Sequence, residues 1–177
     1  RLPGHLLDFS IGQYDTYTPI QLSQYINTLA NGGTRLKPYL LKEVYKPSDS
    51  KEKFGSLIYK AKVEEQGKVD IDSKYIDRVH DGFSAVVSRG LGYGYMGYYT
   101  NSAGKTGTSQ SFIDTDGDGK VDTETITSSF VGYSPAVNPT MSIIVVSPDV
   151  SVPDASTSSV TKRISAAVVN KYYELNH

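Results

Sequence analysis

The sequence predicts an α+β domain, an antiparallel sheet packed with helices. Three observations carry this. Residues 103–113, 124–133 and 140–150 read as three successive antiparallel strands. Two upstream stretches and the C-terminal one repeat apolar residues at helical spacing instead. No repeat and no long linker divides the chain, so helices and strands share one layered unit over residues 1–177.

Thr18 opens the first clear helix. Its hydroxyl suits the cap, Pro19 suits the first helical position, and Gln21 completes a capping-box pattern. Leu22, Ile26, Leu29 and Ala30 recur on one face, and Asn31-Gly32-Gly33 stops the helix. Residues 36–45 and 57–69 read as two strands of a peripheral hairpin around a polar loop at 46–55. Its lysines and glutamates alternate with apolar residues, which predicts one wet face and a solvated lysine-rich run rather than a binding patch. A second helix follows Asp72-Ser73, with Ile76, Val79, Phe83, Val86 and Val87 as its buried stripe and Gly90 at its end. Residues 90–99 alternate glycine with tyrosine. They read as a loop pinned to the body by its tyrosines, ahead of a reading in which it contacts glycan or peptide. The last helix is expected over 156–175, burying Val160, Ile164, Val168 and Tyr172.

With 177 residues the chain is long enough for one domain with its own core. A net charge of -1 gives no reason to expect a nucleic-acid partner. The absence of cysteine excludes a disulfide framework, a thiolate nucleophile and a Cys-based zinc site. There is no apolar run of membrane-spanning length and no signal peptide.

The most informative stretch is Lys105-Thr106-Gly107-Thr108. On a strand, Lys105 and Gly107 share one face while Thr106 and Thr108 share the other. Gly107 lets a ligand approach the backbone. A cation, hydroxyls and open backbone in a row suit an anionic, amide-bearing ligand such as a peptide carboxylate. Ser109 and Gln110 continue the strand, with cleft lining and solvent exposure equally open to them.

The flanks of this strand carry a resemblance. Ser10-Ile11-Gly12-Gln13, Thr18-Pro19-Ile20-Gln21-Leu22 and Ala30-Asn31-Gly32-Gly33 resemble the segment before the K-T-G strand of penicillin-binding proteins. Ser129-Phe130-Val131-Gly132-Tyr133-Ser134-Pro135, followed by Asn138-Pro139, resembles the segment after it. The variant at residues 11–18 is most similar to the monofunctional, class B enzymes of Gram-positive bacteria. The resemblance implies a β-lactamase-like transpeptidase fold with a five-stranded central sheet. It also implies D,D-transpeptidation of peptidoglycan stem peptides through a serine acyl-enzyme, β-lactam binding, and work alongside the cell-wall synthesis machinery. No cofactor is required.

The family signature is S-x-x-K, S-x-N and K-T-G, and only the third stands here in its expected setting. Two literal S-x-x-K matches, Ser48 to Lys51 and Ser159 to Lys162, read as decoys, and no S-x-N occurs. The chain therefore reads as the C-terminal part of a transpeptidase domain, inactive alone. Its N-terminal part, with the nucleophile and a membrane anchor holding the parent at the outer face of the cytoplasmic membrane, is expected on missing polypeptide. By the resemblance, Lys105 holds the proton network of the cleft. Thr106 and Thr108 bind the terminal carboxylate, Gly107 and Ser109 line the substrate, and the Thr108 N–H is half of the oxyanion hole. The rivals are a D,D-carboxypeptidase or β-lactamase of the same fold, and a non-catalytic binding or structural module.

A second candidate site is the acidic loop at 114–122. Asp114, Asp116, Asp118 and Asp122 hold positions one, three, five and nine of a calcium loop, with Gly119 at six. Position twelve is Thr125, with Glu124 one place early, so a plain hairpin turn is favoured over calcium. His5, His80 and His177 are scattered; His80 reads as structural.

Overall fold

A computed structural model of the chain describes residues 4–51, 53–96, 101–151 and 159–176. The chain begins with α1 (Gly4–Ser10) and α2 (Pro19–Ala30). Four short strands follow: β1 (Thr34–Leu36), β2 (Glu43–Tyr45), β3 (Leu57–Lys60) and β4 (Glu65–Lys68). Next come α3 (Ser73–Arg89), the long strands β5 (Ala103–Ile113), β6 (Thr123–Ser134) and β7 (Met141–Ser151), and α4 (Val160–Asn176). The α+β architecture is as expected. The short helix α1 was not anticipated; its Leu6, Leu7 and Phe9 are exposed, so burial gives it no periodic signature.

The caps form as the residue types dictate. Thr18 and Gln21 make a reciprocal capping box at the start of α2, with Pro19 in the first turn. Asp72 caps α3 by accepting from the Lys74 N–H. Ile76, Phe83 and Val87 of the α3 stripe are buried, whereas Val79 reaches the surface.

Each strand expected in the peripheral hairpin is broken in two. β1 pairs with β4 and β2 with β3, all antiparallel, so the hairpin topology holds while the ladder does not run through. The break is bracketed by Lys37 N–H to Glu64 O and Ala61 N–H to Lys42 O, and Pro38 inside it has no N–H to give. β3 and β4 are exposed along their whole length, and Lys37–Glu64 and Lys60–Glu43 pair across the hairpin.

The central sheet has the order β5-β6-β7. Ala103 lies opposite Tyr133, Lys105 opposite Val131 and Gly107 opposite Ser129. Side-chain alternation along β6 divides the core. Tyr133 packs with Ile26, Phe83 and Ala103 beneath α2 and α3. Phe130 packs with Ile143, Val169 and Tyr173 beneath α4, joined by Val87 and Met96.

The buried face of α4 is one residue away from the expected stripe. Thr161, Ser165, Val169 and Tyr173 are buried, while Ile164 and Val168 are 45% and 47% exposed. Small hydroxyl residues win because their polar atoms are satisfied at the contact. Thr161 Oγ1 bonds Ser128 Oγ at 3.2 Å, and Ser165 Oγ donates to the Thr161 carbonyl at 2.8 Å. The part of the expected helix at 156–158 lies outside the described residues.

Candidate active site

The K-T-G strand emerges from a tightly packed start. Ser102, Ala103 and Gly104 are buried; from Lys105 onward β5 opens to solvent. Gly104 and Gly132 face each other across β5 and β6, and the Phe130 ring fills the space a side chain would need at either position. Asn101 O also accepts from the Ala136 N–H just before the strand.

β5 is an edge strand among the described residues. Lys105 and Thr108 are exposed, and Thr106, Gly107 and Ser109 are partly so. Lys105, Gly107 and Ser109 line the face that carries Tyr133 and Val131, and Thr106 and Thr108 the face that carries Phe130 and Ser128, as alternation requires. Lys105 Nζ donates to the Thr106 carbonyl at 2.6 Å, which lays the cation back along its own strand. Gln110 leaves the row and donates to Glu124 across the hairpin. A ligand lying along the free edge reaches groups of both faces.

Residues 105–109 line neither of two clefts formed by the described residues. One of about 440 Å³ lies between α2, the peripheral hairpin and the turn at Pro139. The other, of about 790 Å³, lies between α3, Tyr93 and the turn at Pro135–Val137. Neither of these clefts places a second wall opposite the K-T-G strand. In the tyrosine loop, Lys162 stands 4.8 Å from the Tyr95 ring and donates to Leu91 O, pinning that part to α4; residues 97–100 lie outside the described set.

The two literal S-x-x-K matches lie apart from the K-T-G strand in the sequence. Ser48 is exposed, with its Oγ accepting from the Ser50 N–H, and Lys162 of the second match is turned to Leu91 and Tyr95. His80 contacts Leu29 O at 2.7 Å and packs on Tyr133, a structural setting.

In the acidic loop, Asp114, Asp116 and Asp122 bring carboxylate oxygens within 4.8 Å of one another, while Asp118 pairs with Lys120. The oxygens are already engaged. Asp114 accepts from the Gly119 and Gly117 N–H groups, and these hold its carboxyl below the usual range. Asp122 is lowered likewise, by the hydroxyls of Thr123 and Thr115. Thr125, in the twelfth position, is buried in β6 and donates to Asp149.

Sequence reasoning missed two neighbours of the site. Ser129 sits over Gly107, and only the strand register reveals it. Asp149, on β7, adopts a left-handed φ of 51° where the β6–β7 register shifts, and receives the Thr125 hydroxyl from neighbouring β6 and the Ser111 hydroxyl from β5 beyond it.

Comparison with known proteins decides the family. Residues 2–170 match the model of the penicillin-binding protein transpeptidase domain. The chain belongs to the penicillin-binding protein transpeptidase family. It is 44% identical over 176 residues to penicillin-binding protein 2A of Bacillus subtilis, covering 99% of this chain and 24% of that protein. Against penicillin-binding protein 2B of Streptococcus pneumoniae it is 33% identical over 175 residues, covering 94% of this chain and 24% of the relative. The solved structure of penicillin-binding protein 2B from strain R6 of that species matches with a TM-score of 0.78 at 30% identity, over 99% of this chain and 28% of the solved one. This transpeptidase-family chain thus spans about a quarter of the length of these relatives.

Proposed function

We propose that this chain is the substrate-gripping wall of a peptidoglycan D,D-transpeptidase, the C-terminal part of a domain whose attacking serine lies on further polypeptide. The state of β5 carries this reading: a closely packed entry releases Lys105, Thr106, Gly107, Thr108 and Ser109 onto a sheet edge that is open among the described residues. Family membership supports it. The surface supports it too. A folded chain of 19.3 kDa exposes about 8,500 Å², and this one exposes 12753 Å².

In the reaction a serine oxygen attacks the carbonyl carbon of the penultimate D-Ala, with its proton passing to a neighbouring base. The tetrahedral oxyanion takes hydrogen bonds from the Thr108 N–H and the serine's own N–H. The C–N bond breaks, terminal D-Ala leaves with a proton on nitrogen, and the amine of a second stem peptide displaces the ester. Lys105 supplies positive potential and holds the proton network in place. Thr106 and Thr108 hold the terminal carboxylate, or that of a β-lactam. Losing one oxyanion donor alone costs on the order of a hundredfold to a thousandfold in rate, so a chain without the serine is inactive.

The longer protein works at the outer face of a bacterial cytoplasmic membrane, with its anchor upstream and the cell-wall synthesis machinery as its company. No helix among the described residues is long and apolar enough to cross a membrane. Labelling with a fluorescent penicillin tests the proposal. The longer protein forms a stable adduct and the 177-residue chain does not. An adduct on Ser48 or Ser159 of the chain overturns it.

A further inference from the structure

Three buried hydroxyls tie the start of the K-T-G strand to the C-terminal helix. Ser102 Oγ donates to Ser134 Oγ at 2.9 Å, and the Tyr173 hydroxyl donates to the same oxygen at 3.1 Å. Ser134, at the end of β6, is fully buried; Ser102 and Tyr173 are 4% and 6% exposed. Ser102 immediately precedes β5 and lies three residues before Lys105. Tyr173 belongs to the buried face of α4, in the core with Phe130 and Val169.

The position of this knot is informative. It sits on the α4 side of the sheet, since Ser134 and Phe130 share one face, whereas Lys105 points from the other. All three of its residues are buried, so it is placed to hold the strand rather than to grip a ligand. What it fixes is the strand entry, together with the facing pair Gly104–Gly132 and the Asn101–Ala136 bond. Lys105 is the first residue beyond these restraints. Paired hydroxyls in a dry interior hold a geometry more sharply than apolar contacts, because any shift leaves a buried polar atom without its partner.

We infer that Tyr173 is a positioning residue: through Ser134 and Ser102 it sets the placement of β5, and so of Lys105 and the Thr108 N–H. The inference rests on the transpeptidase reading. Reacting groups must be placed to within a fraction of an ångström, so a loosened strand entry lowers the chemical step more than binding.

The test compares Tyr173→Phe, which removes one oxygen, with Val169→Ala, which thins the same helix face without touching the knot. In the longer protein, Tyr173→Phe speeds hydrogen exchange of the β5 amides bonded to β6 about tenfold relative to β7, whereas Val169→Ala loosens β6 and β7 instead. In the longer protein, Tyr173→Phe lowers the acylation rate constant for a β-lactam about tenfold, with the affinity of the preceding non-covalent complex unchanged. Exchange that rises uniformly in both variants overturns the inference. So does local loosening of β5 with acylation intact. A wild-type longer protein that no β-lactam acylates sinks the transpeptidase reading instead, and the exchange comparison still decides whether Tyr173 fixes the strand.

Discussion

The Ser129 side-chain oxygen occupies the space above Gly107, directly across from it on β6. A methyl at Gly107 collides with that oxygen, the mobile end of a small side chain. Gly104 differs: a methyl there meets the Phe130 ring and the Val131 carbonyl, and Phe130 is fully buried. Gly107→Ala is therefore expected to cost about 1 kcal/mol, relieved when Ser129→Ala is added, whereas Gly104→Ala costs about 3 kcal/mol or more. Urea denaturation of these three variants and of Ser129→Ala alone checks this. Equal losses at the two glycines refute the distinction.

Tyr133 is 1% exposed, and its hydroxyl has no hydrogen-bond partner among the described residues. Burial pushes its pKa up to about 12. A raised phenol pKa gives full stability below the unfolded value of about 10, which is lost as pH climbs from there through the folded value. Tyr133→Phe removes both liabilities. It is expected to stabilise the chain at pH 7 by about 1 kcal/mol, and to lessen the loss between about pH 10 and 12, to which Tyr14, Tyr17 and Tyr45, also raised, still contribute. Melting curves at the two ends of that range check it; a variant less stable than wild type at pH 7 reveals a partner for the hydroxyl.

Several parts of this structure were legible because a single residue type forces them. The Thr18–Gln21 box, the Asp72 cap and the strand face shared by Lys105 and Gly107 follow from local stereochemistry. The buried face of α4 was not legible. Hydropathy selects Ile164 and Val168, yet the contact uses Thr161 and Ser165, whose hydroxyls find partners only after the sheet is in place. The break in the peripheral hairpin was half legible, since Pro38 announces a missing donor but not where the pairing resumes. The family motifs identified the K-T-G strand. The residues that hold it, Ser102, Ser134 and Tyr173, are far apart in sequence; Ser134 lies in a family motif, but nothing in that motif announces its bonds to the other two.

The α4 correction has a direct consequence for stability. Val169 is 3% exposed in the Phe130 core, and Val169→Ala is expected to cost about 2 kcal/mol. Val168, next to it, is 47% exposed, and Val168→Ala in the 177-residue chain is expected to stay within about 0.5 kcal/mol. In the longer protein the Val168 loss grows if further polypeptide covers that face. Denaturant midpoints of both variants decide it, and the reverse ranking in the isolated chain restores the stripe that hydropathy favours.

The acidic hairpin separates a cation site from a self-sufficient turn. Both oxygens of Asp114 accept backbone N–H groups, from Gly117 and Gly119, and its pKa is lowered chiefly by the Gly119 bond. A depressed carboxylate contributes stability that is complete above the unfolded value of about 3.9 and lost as pH falls through the lower, folded value. The Gly117 and Gly119 amide resonances should therefore titrate together, with a midpoint below that of a free aspartate, and Asp114→Asn should remove the transition. With its acceptors engaged and Thr125 turned into the sheet, the loop is expected to hold its shape without an ion. Millimolar calcium is expected to leave the melting temperature within about 1 °C of its starting value, since a ligand far below its dissociation constant adds almost nothing to stability. A rise of several degrees that Asp122→Asn abolishes would instead place calcium among Asp114, Asp116 and Asp122, the three carboxylates the turn draws together.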